Sequence, residues 1–319
     1  MRFLYVMLAL LGGLLTNAAA GDEPARRVVH PFGETLIEGQ PGRVVSLYQG
    51  ATDTALALGV TLIGVVESWV ERPMYHYLRD ALPETVRYLG LETQPDLEGV
   101  AGLRPDLIIG ADYRHELVYP LLSRMAPTVI VNTGLDFKAL LTLVGAATDH
   151  EDAAQQLLTQ WNARVADFKR QIAAKLGDAW PQRVAIVSVR ADHVRLYYHG
   201  FAASILAELG FSLPEKQGVT SWGIKLSSRE GIPALESDVM FMFLQGAEES
   251  VAYTLAQWSQ HPLWQNLTAV RNDQVFEVDP VTWNMGGGVI AANHLLDELY
   301  AHYQLDPFYP EEGVRVNHP

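Results

Sequence analysis

Two arginines and four aromatic residues stand where a folded chain could bring them to one ligand. Trp69, Tyr113, Trp222 and Trp283 fall just after β-rich runs or in glycine-containing connections. Arg114 follows the run that ends at Gly110, and Arg190 follows the run that ends at Ser188. In open α/β sheets ligands gather at the carboxyl ends of strands. A guanidinium there can grip a carboxylate or a similar anion through two bonds, and indoles offer broad, flat contact to a bulky molecule. Taken singly, each residue reads as well as a surface arginine or a core tryptophan. The repeated placement in both halves of the chain is what points to a ligand.

Other chemistries find little support. There is no G-x-S-x-G elbow, H-E-x-x-H pair, P-loop or strand-borne G-x-G-x-x-G. His115-Glu116 lacks the second histidine of a zinc protease, and the ten histidines are scattered. His193 and His199 flank a strand and could meet a metal. Gly286-Gly287-Gly288 precedes a helical stretch, so its backbone could host an anion or simply make a tight turn. The absence of cysteine removes disulfides, thiolate metal sites, cysteine nucleophiles and lipidated cysteines together. A formal net charge of −14 argues against nucleic acid as a partner.

These residues need a scaffold, and the 319-residue chain reads as two α/β blocks. Short, nearly continuous apolar runs at 43–47, 62–66, 106–110 and 128–131 alternate with helical material, the pattern of parallel strands covered on both faces. A second set follows Pro181, at 183–188, 193–198, 238–244 and 274–278. Between them Leu157, Trp161, Val165, Phe168, Ile172 and Leu176 form one stripe at helical period. Asp149 is the expected N-cap, with Gly177 and Pro181 as the stop. The expected organisation is a leader at 1–20, a first lobe at 21–135, a helical connection at 136–177 and a second lobe at 178–319. Arg2, an apolar stretch to Leu15 and Ala18-Ala19-Ala20 make the leader a secretory signal with cleavage near Ala20. Its removal takes one arginine and no acid, leaving −14 − 1 = −15. With no lipid-carrying cysteine, a free periplasmic protein is expected.

An ordered set of short motifs carries a family resemblance. Arg43 to Leu47, Pro95-Asp96-Leu97-Glu98, Leu103 to Ile109 and Met125-Ala126-Pro127-Thr128 resemble periplasmic substrate-binding proteins of iron–siderophore and cobalamin ABC importers. Ser204 to Phe211, His261-Pro262-Leu263-Trp264 and Val281-Thr282-Trp283 continue the likeness, which runs from about residue 43 to 300. The resemblance implies two α/β lobes with mainly parallel sheets, joined by one long rigid helix, with the ligand in the cleft between them. It further implies a monomeric carrier without catalysis, whose cargo is an anionic ferric siderophore handed to an inner-membrane permease. The siderophore would hold the iron, so neither a cofactor nor a direct protein ligand to metal is implied.

Within that family the chain is most similar to the ferric-citrate and ferric-hydroxamate branches. Tyr113-Arg114-His115 and Arg190 match the former, while Trp222 and Trp283 match aromatic contacts of the latter. Arg114 and Arg190 would then neutralise ligand oxygens, and Trp69, Trp222 and Trp283 would cover apolar faces, with Tyr48 and Tyr198 as further contacts. The hydroxamate branch has an arginine where this chain has Glu92, which would meet a ligand donor or face solvent. Glu98 and Glu230 match the two glutamates with which the family docks on permease arginines; each also suits a first helical turn. Two alternatives stay open: cobalamin or haem as the ligand, with His115 or His199 at the metal, and a periplasmic α/β hydrolase-like enzyme.

Overall fold

The computed structural model describes residues 25–132, 136–214 and 222–310. The expected leader lies outside the described residues. Thirteen strands run in chain order: β1 Arg26–His30, β2 Gly33–Ile37, β3 Val44–Ser46, β4 Leu62–Glu67, β5 Arg87–Leu91, β6 Gln94–Pro95, β7 Leu107–Ala111, β8 Thr128–Val131, β9 Val184–Val189, β10 Val194–Tyr197, β11 Gly223–Leu226, β12 Val239–Leu244 and β13 Val275–Glu277. The helices are α1 Gln49–Ala57, α2 His76–Arg79, α3 Leu97–Leu103, α4 Asp112–His115, α5 Tyr119–Met125, α6 Phe137–Thr148, α7 Glu151–Leu176, α8 Phe201–Leu209, α9 Glu248–Ser259, α10 Pro262–Gln265, α11 Thr268–Arg271 and α12 Val289–His302.

The first lobe is built on a six-stranded sheet in the order β6-β5-β4-β3-β7-β8, parallel except for its β5–β6 edge. Every residue of β3, β7 and β8 is buried, as expected of strands covered on both faces. The second sheet, β11-β10-β9-β12-β13, is mixed. β12 pairs in parallel with β9 and β13, whereas β10 runs antiparallel to both β9 and β11. The cause is local: Arg190 N donates to the His193 carbonyl at 2.9 Å, so a tight turn sends β10 straight back along β9.

Both lobes fasten the first strand of their main sheet in the same way. Asp106 accepts from Gly42 N and Arg43 N at 2.9 and 2.8 Å, and Asp238 accepts from Arg183 N at 2.7 Å. Each aspartate sits just before a central strand and ties it to the start of its neighbour.

The long connecting helix is α7, about 39 Å at 1.5 Å per residue. Trp161, Phe168 and Ile172 of its stripe are buried, while Asp149 is not its N-cap. Asp149 adopts left-handed geometry, φ +64°, and closes α6, so His150 takes the cap position. The packing of α7, α8 and α12 makes one apolar core continuous between the lobes, with smaller cores on the far face of each sheet. The C-terminal helix is keyed to the first lobe: Asp53 on α1 accepts from Ile290 N and Ala291 N at 2.8 and 2.9 Å. The helix N-terminus behind Gly286-Gly287-Gly288 is therefore filled by a carboxylate of the chain itself, and the glycines do not supply an open anion seat there. Burial pushes the Asp53 carboxyl up to about 7 against those two bonds.

Among the described residues no helix is long and apolar enough to cross a membrane.

Candidate functional site

Between the lobes lies a cavity of about 450 Å³. The first lobe presents a polar wall to it. Arg114, on the helical turn that follows β7, lies over the rings of Trp69 and Tyr113, 5.2 and 4.5 Å from their centroids. Its Nε faces Glu92 Oε2 at 3.5 Å. Glu92, on the loop leaving β5, is only 3% exposed. It accepts from Gln49 N at 2.8 Å and from Trp69 Nε1 at 3.3 Å. Burial raises its carboxyl above the usual carboxylate range, opposed by the Gln49 amide, the Arg114 charge and the Trp69 indole. Glu92 thus does not face solvent; it holds two lining side chains in place.

Tyr48 completes this wall where the lobes meet. A Cβ on Gly287 would stand 3.0 Å from its hydroxyl, and one on Gly50 would stand 2.7 Å from its ring, so a side chain at either position would crowd Tyr48. Burial, then the Glu92 charge, pushes the Tyr48 hydroxyl up and keeps it protonated.

The second lobe presents rings and backbone: Tyr197, Phe201, Trp222, Phe243, Trp283 and the Gly286-Gly287 edge. Trp222 is 52% exposed and reaches into open space at the mouth. Trp283 lines the cavity but is 1% exposed, tilted against Phe241 at 4.8 Å between centroids, so it is chiefly a core residue whose edge forms part of the floor. Beneath it Asp279 accepts from Val281 N and Thr282 N, and the half-buried Glu298, pushed up to about 7 mainly by burial, accepts from Thr282 Oγ1.

Of the residues expected in the site, Arg114, Tyr113, Trp69, Tyr48, Trp222 and Trp283 come together; three do not. Arg190 stands one layer behind the cavity, donating from Nη2 to Gln245 Oε1 at 2.5 Å and to the Tyr197 hydroxyl at 3.5 Å. It occupies the β9–β10 turn, whereas Arg114 rides a helical turn after a parallel strand, so equal places in sequence give unequal reach. Tyr198 is buried in the far-face core of the second sheet, and its neighbour Tyr197 lines the cavity instead. Adjacent strand residues point to opposite faces, and the parity of that strand had to be seen. His115 is fully buried in the first lobe, its Nδ1 accepting from Ala111 N at 2.8 Å, and burial pushes it down to about 4. It does not reach the cavity, unlike His199, which lines it. His193 instead pairs with Asp192 at 2.5 Å.

The structure adds Gln245, Asn132, Asp136 and Phe137. Gln245 directly follows the central strand β12, so the strand-end rule applied there would have found it. Among the described residues the formally charged lining groups are one guanidinium and two carboxylates, Arg114 against Glu92 and Asp136. Of the two arginines expected to neutralise ligand oxygens, Arg114 lines the cavity and Arg190 does not. Among the described residues there is no group of three or more histidine, aspartate or glutamate side chains arranged to hold a metal.

Glu98 and Glu230 lie far apart in sequence but in like settings. Both are exposed in the first turn of a short helix, one on each lobe, behind Asp96 and Ser228 as side-chain caps.

The profile of the periplasmic binding protein family matches residues 44–282. The achromobactin-binding periplasmic protein of Dickeya dadantii is 43% identical over 261 residues, covering 81% of this chain and 85% of that one. A probable siderophore-binding lipoprotein of Bacillus subtilis is 36% identical over 300 residues, 90% of each chain. The crystal structure of Staphylococcus aureus SirA complexed with staphyloferrin B superposes with a TM-score of 0.82 at 38% identity, covering 88% of this chain and 99% of that one.

Proposed function

The chain belongs to the periplasmic binding protein family, and from that premise we propose that it captures an anionic ferric siderophore and delivers it to an ABC importer in the inner membrane. The observation that carries this reading is Arg114, clamped between Trp69 and Tyr113 in the cleft between two lobes, with its Nε already facing Glu92. The outer edge of its guanidinium is left for a carboxylate or hydroxamate oxygen of the chelate. The aromatic wall opposite supplies contact area to the organic shell around the iron. The protein works by shape and charge: it binds, shields and releases, with no bond made or broken. The iron travels as cargo inside its chelator, and the carrier acts as a monomer.

Relatives in this group are periplasmic proteins or lipoproteins, and the leader-like sequence at 1–20 supports secretion and cleavage near Ala20. Glu98 and Glu230 are the proposed permease contacts; two separated carboxylates fix orientation more than affinity. Reversing both, Glu98→Arg with Glu230→Arg, is expected to abolish iron delivery in cells while leaving ligand affinity within twofold of the parent.

The test of the reading is a tryptophan-fluorescence titration against ferric citrate, ferric hydroxamates, ferric catecholates, haem and cobalamin, with recovery of the ligand afterwards. Saturation by one or more ferric chelates, returned unaltered, supports the proposal. Saturation by haem or cobalamin alone would replace it with the His199-based alternative, and turnover of the ligand would replace it with an enzyme.

A further inference from the structure

Glu92 is a buried acid placed where an anion-binding site gains nothing obvious from negative charge. Its carboxylate lies 3.5 Å from the Nε of Arg114, the one guanidinium that lines the cavity among the described residues. It is almost fully enclosed, and its two neutral partners are a backbone amide and the Trp69 indole. Two physical consequences follow. The carboxylate holds the guanidinium beside it by charge, at ion-pair and not hydrogen-bond distance from Nε, while the indole bond orients the ring over which the guanidinium lies. In its ionised form the same carboxylate opposes the field of Arg114 at the ligand, since a unit charge in a partly dry site acts on ligand charge with little screening. Shape alone would be served by any acceptor; the negative charge is the part that needs a reason.

We propose that Glu92 is the residue that sets charge selectivity in the cleft: by neutralising Arg114 while aiming it, Glu92 limits the advantage of highly anionic ferric chelates over weakly charged or cationic ones. The inference rests on the ferric-siderophore reading above. Glu92 is a positioning and specificity-determining residue that touches ligand chiefly through Arg114 and Trp69. The counterion makes recognition depend on how the chelate fits the clamped guanidinium and the aromatic wall, and it leaves the complex weak enough in Coulomb terms to be unloaded at a permease.

The experiment compares Glu92→Gln and Glu92→Asp with the parent chain, using ferric dicitrate as the anionic probe and ferrioxamine B as the cationic one. Glutamine keeps the shape and one acceptor but loses the charge; aspartate keeps the charge. Apparent thermal midpoints of the unliganded proteins confirm folding. Glu92→Gln is expected to raise the ratio of anionic to cationic affinity by about tenfold, the scale of one unit charge within a nanometre of the ligand. That gain is expected to shrink in high salt, and Glu92→Asp is expected to stay within about twofold of the parent ratio. Equal changes for both probes, or none, would show that Glu92 acts through shape alone and overturn the proposal. If Glu92→Gln does not fold, Glu92→Asp decides: a ratio near the parent's supports the charge role and a tenfold change refutes it. A parent chain that binds no ferric chelate removes the functional reading and this inference with it, whereas binding with charge-blind variants removes only this inference.

Discussion

The two lobes start from the same plan and meet the ligand with different materials. Each pins its first strand with an aspartate placed before a central strand, Asp106 to Gly42 and Arg43, Asp238 to Arg183. Each carries an arginine just beyond a central strand. Yet the first lobe follows β7 with a helical turn that carries Arg114 into the cavity, while the second follows β9 with a tight turn that leaves Arg190 behind Gln245 and Tyr197. One wall is therefore polar and clamped, the other aromatic and built on backbone. Reach into the cleft is decided by the connection after a strand, and not by the residue's distance from it in sequence.

The strongest way to break the comparison is to cut the tie between the lobes. Asp53→Ala leaves two helix N–H groups of α12 without acceptors in the interior, and we expect a loss of about 2–4 kcal/mol in urea denaturation. A loss under about 1 kcal/mol would mean that α12 is not anchored to the first lobe in solution. The unequal arginines come next. Arg114→Ala is expected to weaken ferric-siderophore binding by about 2 kcal/mol, roughly 30-fold, whereas Arg190→Ala acts through Gln245 and Tyr197 and should cost no more than about fivefold. Equal effects in titration would erase the distinction between the walls.

The shared pins should behave alike. Asp106→Ala and Asp238→Ala are each expected to cost about 1 kcal/mol of stability, since both lose solvent-accessible bonds to backbone and the exposed Arg183 guanidinium that Asp238 also pairs with adds little. The smallest effect is a slope. His115 is held neutral in the folded first lobe, with its pKa down at about 4 from an ordinary 6.5. A depressed folded value means the unfolded chain binds the extra proton. The contribution is whole above pH 6.5 and is lost as pH falls toward 4. His115→Asn is expected to flatten stability against pH in that window by up to about 1.4 kcal/mol per unit, read from urea midpoints. An unchanged slope would place the histidine in contact with solvent.

Much of this architecture was legible in the residues. The nearly continuous apolar runs of β7, β8, β9 and β12 reported burial on both faces, and the stripe on α7 reported the connecting helix. Arg114, Trp69, Tyr113 and Trp222 were found because strand-end loops collect ligand contacts. Tyr198 and Arg190 escaped for a common reason. Strand parity and turn geometry shift a side chain by a full layer while leaving local composition unchanged. Asp149 escaped because a short polar residue suits both the end of one helix and the start of the next.

The sequence by itself determined the two-block α/β plan, the bridging helix, the lack of cysteine chemistry and the family. These follow from periodicity, composition and ordered motifs, which are local or additive properties of the chain. The tertiary structure alone decided that one arginine reaches the cavity, that Glu92 stands against it, that Tyr197 replaces Tyr198, and that Asp53 occupies the helix end behind the three glycines. Those outcomes depend on which residues, tens or hundreds of positions apart, share a few ångströms of space. Pair energies at that range fall steeply with distance, and no one-dimensional pattern carries the distances.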